Sequence, residues 1–212
     1  MNSPEETRMQ KDDKSLFQSG PFSLTLLLLV LVATPVQAEP ADWEIDPEHF
    51  SIVFEATHAG YQQQMGMFLE GSGAFRYDPD TQALSEGRIE IQADSIFTNH
   101  DDRDDHLTSR DFLNARRHPA IVFQADAFVP GDGPGRGTVT GNLTLLGETH
   151  PVELDVTINK QEEYPFGHGR ETLGISAQTT LMRSQWGMDY GVADNLVGDQ
   201  VNLRFEFEAL RQ

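Results

Sequence analysis

From Trp43 onward, apolar and polar residues alternate with a period of two, and nothing else in the chain constrains its fold as strongly. In VELDVTI (152–158), Val152, Leu154, Val156 and Ile158 share one face, and Glu153, Asp155 and Thr157 share the other. VNLRFEFEA (201–209) repeats the pattern with Val201, Leu203, Phe205, Phe207 and Ala209 on one side. Val139, Gly141, Leu143 and Leu145 alternate with Thr138, Thr140, Asn142 and Thr144, and Ile89, Ile91 and Ala93 alternate with Arg88, Glu90 and Gln92. Successive side chains of a strand point to opposite faces, so one apolar and one solvated face is the pattern of antiparallel sheet.

Turn chemistry separates these runs: Asp78-Pro79-Asp80, the PGDGPG of 130–135, and Gly147 to His150 with Pro151 behind it. The spacing predicts about eight strands, near 43–46 with 50–58, 65–77, 84–97, 119–129, 136–146, 150–160, 172–183 and 200–211. Long antiparallel strands with one apolar face must stack as a sandwich or close into a barrel. Eight strands in a barrel leave an interior that side chains fill or that holds one ligand. Periodicity alone does not choose between filled and hollow. Gly66, Gly71 and Gly73 fall inside a strand pattern, where they suggest bulges or bends.

The first residues belong to a different kind of segment. FSLTLLLLVLVA (22–33) is an apolar run too short for a confident membrane anchor, which needs roughly 20 residues. It leads into Val36-Gln37-Ala38, a small-x-small cleavage pattern, so residues 1–38 are expected to be a secretory signal peptide and 39–212 the exported domain. The stretch before the apolar run is long and mixed in charge, and a start at Met9 rather than Met1 would shorten it. The expected location is the periplasm.

The chain has no cysteine, which excludes disulfides, thiol catalysis and thiolate metal sites. The leader holds three of its 15 basic and four of its 34 acidic residues, leaving 12 against 30, a net charge of −18 on the exported part. Such a surface repels phosphate backbones and anionic lipid headgroups, so nucleic acid is a poor partner.

Two segments break the alternation. In DDRDDHLTSRDFLNARRHP (101–119), Asn99 is a candidate helix N-cap, Asp101 and Asp102 suit the positive end of a helix dipole, and Ser109 is a second cap candidate. A short helix is expected near 100–114, held by Leu107, Phe112 and Leu113 and ended by Pro119. Arg103, Arg110, Arg116 and Arg117 are expected to pair with the acids. A competing reading is an exported metal-dependent enzyme that binds Zn²⁺ or a similar ion through His100, Asp102 and His106, since Asp102 and His106 share a helix face. No HExxH motif supports it.

The second break is RSQWGMDYG (183–191), continuing to Gly198. Its glycines and its large side chains Trp186, Met188 and Tyr190 read equally as a loop that plugs one end of the sheet or as the mouth of a cavity for an apolar ligand. His58, at the end of a strand, is expected to point inward as a core residue. The NLT sequon at 142–144 lies inside a predicted strand, and no serine sits in a nucleophile-elbow pattern.

Taken in order, SIVFEATHAG (51–60), GSGAFRYDPDT (71–81), DSIFTNHDDRDDHLTSRDFLNARRHPAIVF (94–123), VTGNLTLLGETHPVEL (139–154), RSQWGM (183–188) and VGDQVNLRFEFEA (197–209) resemble the YceI family of exported lipocalin-like proteins. The elements Gly141 to Val152 and Arg103 to Leu107 are the most specific. Gln185 stands where an acidic residue is common and Trp186 where a smaller aromatic is common, a change that would alter the mouth. The resemblance implies an extended eight-stranded antiparallel barrel with a helix near one end. It also implies an elongated apolar pocket for polyisoprenoid-like or other long-chain amphiphiles, and binding rather than catalysis. No cofactor is implied beyond a bound isoprenoid-type lipid, such as a quinone, a polyprenol or a fatty-acid derivative.

On this reading the pocket is lined by Phe54, Ile91, Phe123, Leu143, Leu145, Phe205, Trp186 and Met188, chosen from the alternation and the mouth segment. A one-residue error in any strand would flip its face. A homodimer through unpaired strands at a barrel seam is left open. A third reading, a structural or stress-response module that binds another protein, has no sequence feature in its favour.

Overall fold

A computed structural model describes residues 40–212; the expected leader lies outside the described residues. Ten strands form one antiparallel sheet: β1 (Ala41–His58), β2 (Gln62–Phe68), β3 (Gly71–Asp78), β4 (Ala83–Gln92), β5 (Ile96–Phe97), β6 (Ala120–Pro130), β7 (Arg136–Leu145), β8 (Glu148–Glu163), β9 (Glu171–Met182) and β10 (Val197–Arg211). They occupy eight positions around a barrel. β2 and β3 are one predicted strand bent at Leu69-Glu70. β4 and β5 are another, interrupted by a 3₁₀ turn at Ala93–Ser95. β1 serves both halves of the bent strand, pairing Ala41–Glu44 with β3 and Ile52–His58 with β2.

The barrel closes where β1 meets β10, from Trp43 opposite Arg211 to His58 opposite Val197. That pairing removes the open seam on which the homodimer expectation rested. The register of this pair breaks once in mid-strand. Ile45 faces Ala209 and Phe50 faces Phe207, so Asp46, Pro47, Glu48 and His49 bulge out against the single residue Glu208.

Alternation predicts the inward face correctly in the strands where it is cleanest. Val152, Leu154 and Val156 of β8 and Phe207 and Ala209 of β10 are buried. Trp43, Ile52 and Leu173 are among the most buried large side chains, and Trp43 Nε1 donates to the Tyr77 carbonyl at 3.1 Å.

Several local expectations are corrected. The β7–β8 turn is at Leu146-Gly147, both at positive φ (54° and 84°), which suits a two-residue hairpin. Thr149, His150 and Pro151 lie inside β8. Pro151 fits there because β8 pairs with β9 only from Asp155 onward. Gly66 makes no bulge: it pairs in register with Phe54. A side chain at Gly66 would overlap the Phe54 ring, so the glycine lets that ring lie flat against the wall. Gly141 takes the Phe123 ring in the same way, the ring edge lying 2.5 Å from where a Cβ would be. His58 is exposed, because the β1–β10 register shifts between Ala56 and His58.

The helix α1 (Asp101–Thr108) is shorter than the 100–114 expected, and short turns follow it. His100, not Asn99, is its N-cap residue, and it caps without a side-chain hydrogen bond. Asn99 sits in the left-handed region with φ 63°, which carries its side chain away from the cap position. Ser109 is the C-cap, and its Oγ accepts the Asp111 N–H at 3.3 Å to start the next turn. Among the described residues no ion pair involves Arg103, Arg110, Arg116 or Arg117. Arg103 instead donates from Nε to Thr98 Oγ1 and from Nη2 to the Thr98 carbonyl, both at 2.7 Å. Asp104 Oδ1 accepts the Thr98 N–H at 2.9 Å and also its hydroxyl. Neighbouring residues of the helix thus clasp Thr98 at the end of β5. No helix among the described residues is long and apolar enough to cross a membrane.

Candidate ligand-binding cavity

The inward faces enclose a cavity running from Tyr77, Phe128 and Leu173 at one end to Leu107, Phe112 and Trp186 at the other. It leaves about 230 Å³ for the centres of water-sized molecules. One buried water needs only ~10–15 Å³ by that measure, so the space suits something much larger. The barrel is hollow, which periodicity alone left undecided.

All eight residues chosen from the sequence line this cavity: Phe54, Ile91, Phe123, Leu143, Leu145, Phe205, Trp186 and Met188. Strands β1, β4, β6, β7 and β10 supply the first six and the 183–197 segment the last two. Ile91 pairs with Ile121 and Phe123 with Leu143, so the inward residues of β4, β6 and β7 lie side by side along the wall.

Polar atoms among the lining side chains are few, and come from Tyr77, Arg88, Thr179, Arg183 and Trp186. Trp186 Nε1 donates to the Leu143 carbonyl at 3.1 Å, and its ring stands edge-on to His150 at 5.1 Å. Arg88 Nη2 is directed to Glu90 at 2.7 Å. Burial raises the Tyr77 phenol above its ordinary value, so it remains a neutral hydroxyl.

Arg183 is the residue that sequence reasoning missed. The residue is only 3% exposed. Nε donates to Gly198 O, Nη1 to Met188 O, and Nη2 to Tyr190 O and Val197 O, at 2.8 to 2.9 Å. Burial pulls this guanidinium below its ordinary value, while Asp199 and Asp189 push it back up. Its planar fork suits carbonyls converging from several directions. Asp199 fixes the adjacent backbone, accepting from the Ser184 N–H and hydroxyl at 2.8 Å each. The only sequence signal was an arginine opening the RSQWGM run, and nothing local shows that its partners lie up to 15 residues away.

The segment therefore closes the barrel and lines the cavity at once. Trp186 and Met188 are buried, whereas Tyr190 is 43% exposed and packs against His106 and Phe112 at 5.1 and 5.2 Å between ring centres. His106 also lies 3.1 Å from Asp111 through Nε2. Among the described residues His100, Asp102 and His106 do not converge as a metal-ligand group; the three-residue group that does is Asp46, His49 and Glu208. The metal-enzyme alternative loses its proposed centre, because its three residues are not brought together.

A closed antiparallel barrel of eight positions, one short helix and an apolar interior defines the lipocalin-like class. The chain matches the model of the YceI-like domain over residues 43–209, and it belongs to that family. A UPF0312 protein of Pseudomonas aeruginosa (strain LESB58) is 35% identical over 183 residues, covering 84% of this chain and 92% of that protein. The Campylobacter jejuni YCEI protein superposes with a TM-score of 0.66 at 25% identity, over 74% of this chain and 90% of its own. A polyisoprenoid-binding domain from Saccharophagus degradans shares the fold, with a TM-score of 0.57 at 11% identity over 82% of this chain and 100% of its own.

Proposed function

We propose that this protein is a periplasmic binding or carrier protein for a long-chain apolar amphiphile of the polyisoprenoid, isoprenoid quinone or fatty-acid class, held inside the barrel. The observation that carries the reading is the barrel-length cavity, whose few polar side chains are largely committed to the protein itself. Each CH₂ group of an apolar chain buried there gains about 0.8 kcal/mol. Association costs ~4–15 kcal/mol, so a long chain binds where a short one does not. A preformed wall keeps the ordering cost low. The polyisoprenoid binding named for the Saccharophagus domain is consistent with this class of ligand. The binding role needs no catalytic group.

The test is extraction of the natively expressed, purified protein with organic solvent, followed by mass spectrometry. A long-chain isoprenoid or acyl species at near one per chain is the expected result. Empty protein that also fails to bind such ligands on titration would refute the reading.

A further inference from the structure

The β1 bulge brings three potential metal ligands together on the outer wall, away from the cavity. Phe207 and Ala209 point inward, and Glu208 between them points out. Opposite it, four residues of β1 occupy the space of one. The Asp46 carboxylate turns back over its own chain, Oδ1 accepting the Glu48 N–H at 2.9 Å. This returns His49 over Glu208. His49 Nδ1 lies 2.8 Å from Asp46 Oδ2 and 3.7 Å from Glu208 Oε2. All three ligand atoms fall within 4.8 Å of one another.

Two features separate this cluster from ordinary surface acids. Glu208 Oε2 is shielded from solvent yet accepts no hydrogen bond from the described residues. A shielded carboxylate oxygen without a donor is costly unless a cation serves it. The spacing is also near that of a coordination sphere. Tetrahedral ligands at ~2.1 Å from Zn²⁺ are about 3.4 Å apart, between the two distances seen here. Small side-chain shifts would place all three around one ion. Two carboxylates and one imidazole balance a divalent charge, and oxygen with nitrogen suits a borderline cation of the zinc type.

We propose that Asp46, His49 and Glu208 bind one divalent transition-metal cation of the Zn²⁺ type, with a coordination position left for water. The site is independent of the lipid reading, and neither depends on the other. It ties the N-terminal half of β1 to β10 at the point where their register breaks.

The test uses tag-free full-length protein stripped with chelator and titrated with Zn²⁺ alone by calorimetry. Co²⁺ absorption serves as a second readout. One ion per chain is expected, with a rise in unfolding temperature. Loss of a partner one step removed from a metal already weakens binding ~10–100-fold, so E208Q and H49A should each weaken it by more than about 100-fold. H106A should leave it unchanged. Unfolding of each variant in chelator verifies that it is folded, and E208Q keeps the side-chain shape if H49A is not. No uptake at millimolar Zn²⁺, or uptake unaffected by both E208Q and H49A, would overturn the proposal.

Discussion

Arg183 shows how one side chain can organise a segment that has no regular structure. Its four hydrogen bonds reach carbonyls at Met188, Tyr190, Val197 and Gly198. Lysine keeps the charge but offers one nitrogen where arginine offers three, so R183K leaves several of these carbonyls without a donor. Hydrogen bonds to charged groups contribute ~1.5–3 kcal/mol each, and the expected destabilisation is about 3 kcal/mol after partial relaxation. Urea unfolding of the two proteins measures it. Because Trp186 and Met188 ride on the same segment, R183K should also weaken ligand binding.

At the scale of elements, the carboxylate that ties β9 to β10 gives the clearest dependence on pH. Hydrogen bonds from Gln161 and Arg211 hold the Glu171 carboxyl below its ordinary value, with burial opposing them. Arg211 Nη1 donates to Glu171 Oε2 at 2.6 Å. A lowered folded-state value means the interaction is fully present above the ordinary glutamate range and is lost as pH falls through the lowered value. The pair is partly exposed, so its coupling is expected to be below about 1 kcal/mol. A double-mutant cycle of E171Q and R211Q, read by urea midpoints, should show that coupling at pH 7 and its progressive loss as pH falls below the ordinary glutamate range. The cycle cancels the general effect of removing one negative charge from an acidic protein.

The strands themselves were legible wherever one face is purely apolar, as in β8 and β10, because burial there depends only on alternation. The break between Ile45 and Phe50 was legible too, as a gap in the first predicted strand. Its geometry was not, since a bulge is defined by the partner strand. The helix was visible from its acids and its closing proline. Its cap and its arginine partners were misread because Asn99 turns left-handed and Arg103 reaches back to Thr98. The cavity lining followed from alternation plus Trp186 and Met188 in the 183–188 segment. Arg183 stayed hidden because a buried arginine and an exposed one look alike in sequence.

For the whole molecule the test of function is to fill the interior. Ala177 lies on the wall, paired with Val156 on one side and Phe205 on the other. A177F places a ring where a ligand would run. Displacing about three CH₂ groups of contact, at ~0.8 kcal/mol each, predicts a loss of about 2.4 kcal/mol of affinity. That is roughly a 60-fold weaker complex, readable by titration with a long-chain fluorescent ligand. The empty protein should keep its fold, since the added atoms enter open space.

The closure of β1 on β10 also sets an order of events. The first described strand finds its partner in the last, so the barrel cannot be completed until the chain has been delivered to Arg211. Contacts this distant in sequence form slowly. Whatever still holds β10 back also holds the barrel open, with the apolar faces of the earlier strands uncovered. For such a chain, completion waits on the fifteen residues of β10: only their pairing turns a curved sheet into a container.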